Sequence, residues 1–131
     1  MIDFTSAQVG RFGEDYCAKY LKKFKKMKIL DRNVRMGKLE MDIIAYNKDY
    51  IVFVEVKSRR VDKNNYFRPA DAVDRDKRAN LLTFAYAYCK CLSPRHKGKI
   101  PRIDVCEVYV IAEKKLKVCD INYIENAVSR F

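Results

Sequence analysis

Asp42 and the pair Glu55 and Lys57 stand on two stretches, Leu39–Tyr46 and Tyr50–Arg59, that read as β-strands joined by the polar loop Asn47-Lys48-Asp49. A tight hairpin that sets Asn47 opposite Tyr50 makes Ala45 face Val52, Ile43 face Val54 and Met41 face Val56, so one face is apolar throughout. The other face then pairs Ile44 with Phe53, Asp42 with Glu55, Glu40 with Lys57 and Lys38 with Arg59. A one-residue slip would mix the two faces, which register rules disfavour. Directly opposed residues have Cβ atoms about 4.5–5.5 Å apart, so this register makes neighbours of two acids. Like charges so placed are destabilising unless a proton or a cation sits between them.

A hard divalent cation resolves that conflict. Mg²⁺ takes oxygen ligands at ~2.0–2.1 Å, uses one or two carboxylates, and keeps waters that a phosphate can displace. Lys57 shares a strand face with Glu55, where its ammonium can hold an attacking water and offset charge on a phosphate. Glu14, at the edge of the first helix's apolar stripe, is a candidate for a further ligand or a second metal position. The bland alternative is a solvated face of cross-strand ion pairs. Glu40 opposite Lys57 fits that alternative well; Asp42 opposite Glu55 fits it badly.

The elements that must position these residues follow from periodicity. Thr5 or Ser6 caps a first helix running to about Lys26, with Val9, Phe12, Tyr16, Tyr20, Leu21 and Phe24 as its apolar stripe. A strand around Ile29-Leu30 and a turn at Asp31-Arg32-Asn33 precede the hairpin. A polar loop from Arg60 to Arg68 leads into a helix over about Asp71–Leu92, with Val73, Lys77, Leu81, Phe84, Ala85 and Tyr88 on one face. Strands Ile103–Ala112 and Leu116–Ile121 and a short helix, Tyr123–Phe131, complete the chain. The order α-β-β-β-α-β-β-α implies an α/β fold, a mixed sheet flanked by helices, built as one domain over residues 1–131.

Composition narrows the partners. Lys and Arg number 28 against 17 acidic residues, and a net charge of +11 favours a polyanion, either nucleic acid or an acidic membrane surface. No apolar run approaches the roughly 20 residues of a membrane span. Met1-Ile2-Asp3-Phe4 lacks the basic start and apolar core of a signal peptide, so a cytoplasmic location is expected. Five cysteines, an odd count, suit reduced thiols better than a disulfide framework. A zinc site of Cys89, Cys91 and His96 lacks both paired Cys-x₂-Cys spacing and a fourth ligand.

The arrangement of Asp42 followed across a hairpin by Glu55-Val56-Lys57 resembles the signature of the PD-(D/E)XK nuclease superfamily. The match is closer to the small YraN-like proteins, predicted endonucleases related to archaeal Holliday junction resolvases. It is carried by "GRFGEDYCAKYL" (10–21), "ILDRNVR" (29–35), "EMDIIA" (40–45), "VFVEVKSR" (52–59), "ADAVDRDKRANL" (70–81) and "RIDVCEV" (102–108). This resemblance implies a restriction-endonuclease-like fold, with Asp42 and Glu55 binding metal, Val56 lending its backbone carbonyl, and Lys57 catalytic. It also implies an acidic auxiliary ligand at Glu14 and a basic site residue at Lys77, whose bland reading is a stem that covers core while its amine snorkels. Departures are Leu39 where the family usually has Gly, Cys17 in place of a small Ala, and a loop, "VDKNNYFRPADAV", without the common glycine. Tyr66 and Phe67 in that loop suit either base stacking or packing beneath it.

The resulting expectation is a Mg²⁺- or Mn²⁺-dependent endonuclease that hydrolyses DNA at branched or distorted structures. Arg59, Arg60, Lys77 and Arg102 are its weaker candidates for phosphate contacts, and resolvase analogy implies a homodimer. Two alternatives are a nucleic-acid-binding protein that keeps the fold without catalysis, and a basic membrane- or ribosome-associated protein. The last leaves Asp42 opposite Glu55 without a reason.

Overall fold

The computed structural model describes residues 3–62 and 75–128. Helix α1 (Ser6–Lys23) begins at Thr5 with a reciprocal cap: Gln8 N–H donates to Thr5 Oγ1 at 3.1 Å, and Thr5 N–H donates to Gln8 Oε1 at 2.8 Å. Strands β1 (Lys28–Met36), β2 (Leu39–Tyr46) and β3 (Tyr50–Arg60) follow, then helix α2 (Arg75–Lys90) and strands β4 (Ile100–Ala112) and β5 (Leu116–Ile124). The sheet order is β1-β2-β3-β4-β5, antiparallel except for the parallel β3–β4 pair, whose crossover carries α2. Among the described residues no helix is long and apolar enough to cross a membrane.

Each face of the sheet has its own core. On one, Val9, Cys17, Ala18 and Leu21 of α1 pack on Ile43, Ala45, Val52, Val54, Cys106, Val108 and Val110. On the other, Leu81, Phe84 and Ala85 of α2 pack on Met41, Ile44, Ile51, Phe53 and Ile103. Val52, Phe53 and Val54 are therefore buried from both sides, which is why this stretch of β3 is an unbroken apolar run.

Two expectations change. Asp31, Arg32 and Asn33 lie within β1 and not in a turn; Val34 and Met36 alternate onto the α2-side core and draw the strand through them. The helix expected over Tyr123–Phe131 is not formed among its described residues. Tyr123 and Ile124 instead pair with Cys106 and Val105, and the backbone N–H of Asn126 donates to the buried Asp104 carboxylate at 2.9 Å. That carboxylate also accepts both arms of Arg102 and the Tyr123 hydroxyl, so the chain is tied down where a helix would have to start. The described part of α2 ends at Lys90, and its expected start at Asp71 lies outside the described residues, as do Tyr66 and Phe67.

Gly13 sets how closely α1 approaches β3. A Cβ at this position would lie 1.9 Å from Ser58 Oγ, whereas a Cβ at Gly10 meets nothing within 4 Å. Gly13→Ala should therefore destabilise the protein by about 1–3 kcal/mol through overpacking, although alanine is the better helix former. Gly10→Ala should stabilise it by about 0.5–1 kcal/mol. Thermal or denaturant unfolding of the two variants checks this, and similar gains from both would remove the close-approach argument.

Candidate functional site

The β2–β3 ladder runs from Tyr46–Ile51 to Ile43–Val54 in the expected register, and its paired residues end there. Beyond it the strands part. The Val56 N–H, which a continuing ladder would have paired with backbone, donates to Asp42 Oδ2 at 2.7 Å. Side-chain alternation also breaks at this level. Met41 joins Ile44 in the α2-side core, so Ile43 and Asp42 are successive residues turned toward α1. The expected facing pairs Met41–Val56 and Asp42–Glu55 are thus replaced by a splayed pair of strands with the Asp42 carboxylate in the gap.

Asp42 lines a cleft of roughly 520 Å³ between α1 and the sheet, together with Gly10, Arg11 and Glu14 of α1, Arg32 and Asn33 of β1, and Val56 and Ser58 of β3. Glu55 is buried and continues the face of Phe53 toward α2, where Lys77 Nζ lies 2.5 Å from its Oε2. That ammonium answers part of the buried charge of Glu55. The acids still interact, the Glu55 side chain acting on Asp42 both as a hydrogen-bonding partner and as a charge. Burial first, then that bond, and then the charges of Glu55 and Glu14 push the Asp42 carboxyl up to about 7, against the lowering pull of the Val56 N–H. Two carboxylates so placed offer hard oxygen donors, the donor chemistry that suits a divalent cation such as Mg²⁺.

Glu14 does not complete a third ligand in this state. Arg32 Nε lies 3.3 Å from Glu14 Oε1, and Arg32 Nη2 lies 2.6 Å from Asp15 Oδ1, so one guanidinium answers both acids. Among the described residues no group of three His, Cys, Asp or Glu side chains is gathered to hold a metal. Asp42 and Glu55 are the acids that could hold an ion; Glu14 acts on Asp42 through its charge.

The remaining candidates divide by position. Lys57 is half-buried two residues beyond Glu55, beside Glu107 of β4 in the strand register. Arg59 is exposed at the same end of β3, whereas Arg60 donates to the Phe4 carbonyl at 2.9 Å and so secures the segment before α1. Arg102 lies beside Val52, toward the other end of the sheet, with its guanidinium on Asp104 and over the Tyr50 ring. Of the zinc alternative, Cys91 is exposed while His96 is buried against Tyr46. Sequence reasoning missed Arg32 and Asn33 as cleft residues because Asp-Arg-Asn reads as turn chemistry. The alternation of Val34 and Met36 was the signal that could have placed them on a strand.

The raised Asp42 pKa has a consequence for stability. The folded state binds this proton more tightly than the unfolded chain, so without metal the group's contribution to stability falls as pH rises from about 4 to about 7. Asp42→Asn keeps an acceptor for the Val56 N–H and removes the titration. It should be more stable than the parent at pH 8, by an amount on the order of 1–3 kcal/mol, with the difference shrinking toward pH 4. Paired denaturation curves across that range measure it; a gap that does not vary with pH would count against the buried acid pair.

Comparison with known proteins agrees with the extent of this architecture. The model of "Uncharacterised protein family UPF0102" matches residues 13–108, from Gly13 on α1 to Val108 on β4. A UPF0102 protein of Caldanaerobacter subterraneus subsp. tengcongensis is 41% identical over 119 residues, covering 91% of this chain and 93% of its own. A UPF0102 protein of Dictyoglomus thermophilum is 37% identical over 123 residues, covering 94% and 98%. One from Clostridioides difficile is 39% identical over 124 residues, again covering 94% and 98%. With the matched span running through the helix, the hairpin and the parallel strand that frame Asp42 and Glu55, the chain belongs to the UPF0102 family.

Proposed function

We propose that this protein is a Mg²⁺- or Mn²⁺-dependent endonuclease of restriction-endonuclease-like fold that hydrolyses DNA phosphodiester bonds at branched or distorted structures. The observation that supports the reading is the Asp42 carboxylate held where β2 and β3 part, at the edge of an open cleft and close enough to Glu55 for that acid to raise its pKa. Asp42 and Glu55 would hold the ion, with the Val56 carbonyl beside them. A divalent cation bound there supplies a Lewis acid that polarises a phosphoryl oxygen and makes water more acidic. Lys57 offsets the negative charge that gathers on the phosphate as water adds and the P–O bond breaks. The net charge of +11 favours the polyanionic substrate. A homodimer would supply the two sites that symmetrical cutting of two strands calls for.

A second reading, nucleic-acid binding without catalysis, draws on the engagement of Glu14 by Arg32, which leaves two carboxylates in place of three. Both readings predict binding that weakens with salt, by about 0.9 log units per log salt for each phosphate neutralised. They part on the production of new DNA ends.

The test is a panel of single-stranded, duplex, flap and four-way junction DNAs, with and without Mn²⁺, using the parent and Asp42→Asn. The parent should cut at least one of these substrates only when the metal is present. The variant should lose roughly 100-fold or more of that activity while binding DNA within a few-fold of the parent. Equal cutting by both proteins would sink the assignment of Asp42.

A further inference from the structure

Asn33 stands within β1 at a backbone φ of 53°, in the left-handed region that side chains other than glycine rarely adopt. Lys26 and Asn126 share this conformation, but Lys26 lies in the connection after α1 and Asn126 in the turn after β5. Asn33 is different in being inside a strand. Between the register pairs Arg32–Ile43 and Val34–Met41 it falls opposite Asp42. There the two strands change face together: Arg32 and Asn33 are successive cleft residues on β1, as Ile43 and Asp42 are successive α1-side residues on β2.

A glycine would meet the backbone demand with less strain. What asparagine adds is an amide, and that amide makes no hydrogen bond among the described residues. Asn33 is exposed and lines the same cleft as Asp42. Across it, Arg11 of α1 is also exposed and likewise forms no ion pair among the described residues. The other cation of the cleft, Arg32, is taken by Glu14 and Asp15. The cleft is therefore divided: a carboxylate at the β2–β3 gap, and an amide donor with an uncommitted guanidinium on its outer walls.

We propose that Asn33 is a substrate-contacting residue, its side-chain amide donating to a non-bridging oxygen of the nucleic-acid phosphodiester, with the Arg11 guanidinium on the same phosphate. This rests on the proposed function and names the two groups that hold the substrate at that site. A planar amide donor and a guanidinium suit the diffuse charge of a phosphodiester. Residues other than glycine held at φ > 0 persist where the surrounding structure over-determines them, and they cluster at functional sites.

Asn33→Gly separates this role from a structural one, because the two predict opposite signs. It should melt at or above the temperature of the parent, since glycine relieves the left-handed backbone. Its affinity for a four-way junction or flap DNA, measured by fluorescence anisotropy in Ca²⁺, should nevertheless fall about 10-fold or more, the effect of one hydrogen bond to a charged oxygen. Asn33→Asp, which tolerates the same φ but presents an anion, should bind more weakly still, and Arg11→Gln should weaken binding with a shallower salt dependence. If Asn33→Gly binds DNA as the parent does, asparagine is there for its backbone tolerance alone and the inference falls, whatever the parent cuts. If the parent binds but never cuts with Mn²⁺, the hydrolytic reading falls and the affinity ratio alone decides Asn33. If the parent binds no DNA in the panel, both fall.

Discussion

The hydrogen bond from the Val56 N–H to Asp42 Oδ2 holds the site together. Once the β2–β3 ladder stops at Ile43–Val54, the next inward backbone donor on β3 must find an acceptor or be orphaned next to a core. Asp42 supplies it, and so an acid is drawn into a half-buried position beside Glu55 and within reach of the charge of Glu14. The carboxyl keeps its proton near neutrality because burial, the Glu55 side chain and the charge of Glu14 together outweigh one favourable donor. The same contact that ends the β2–β3 ladder thus brings Asp42 close to Glu55.

The scaffold around that place is stiff for identifiable reasons. β3 is covered on both faces, α1 rests on it at the distance that Gly13 and Ser58 allow, and α2 brings Lys77 to Glu55. The far end of the sheet is locked independently by Asp104, which takes Arg102, Tyr123 and the backbone of Asn126. Its charge is fully answered, so it behaves as a structural pin. At the splayed end Asp42 has one backbone donor and Glu55 one lysine, fewer partners than Asp104 takes. That contrast distinguishes Asp104, which pins the fold, from Asp42 and Glu55 at the splayed end.

Net charge is a poor guide to which cations meet a ligand. Arg32, Arg60 and Arg102 are committed to Glu14 and Asp15, to the Phe4 carbonyl, and to Asp104. They would count toward a basic surface in any sum over the sequence, yet each holds a piece of the fold in position. Arg11 and Arg59, exposed near the cleft end of the sheet, are the better placed for a polyanion.

Much of the fold was legible in the sequence because it follows from short-range rules. The Thr5 cap, the apolar run of β3, the three-residue hairpin loop and the resulting pairs Ala45–Val52 and Ile43–Val54 depend on neighbours a few residues apart. So does the choice of Asp42, Glu55 and Lys57, whose types and spacing carry their chemistry. Tertiary structure alone decided where the register would be abandoned. A ladder extrapolated from its turn gives no sign that β2 and β3 will part, because which side chains each helix covers is decided by elements far along the chain. It also decided that Arg32 would serve Glu14, that Arg102 would serve Asp104, and that β5 would run on through Tyr123 in place of a final helix. Those outcomes turn on which distant partner can satisfy a buried charge or backbone donor, and only the assembled sheet brings such partners within reach.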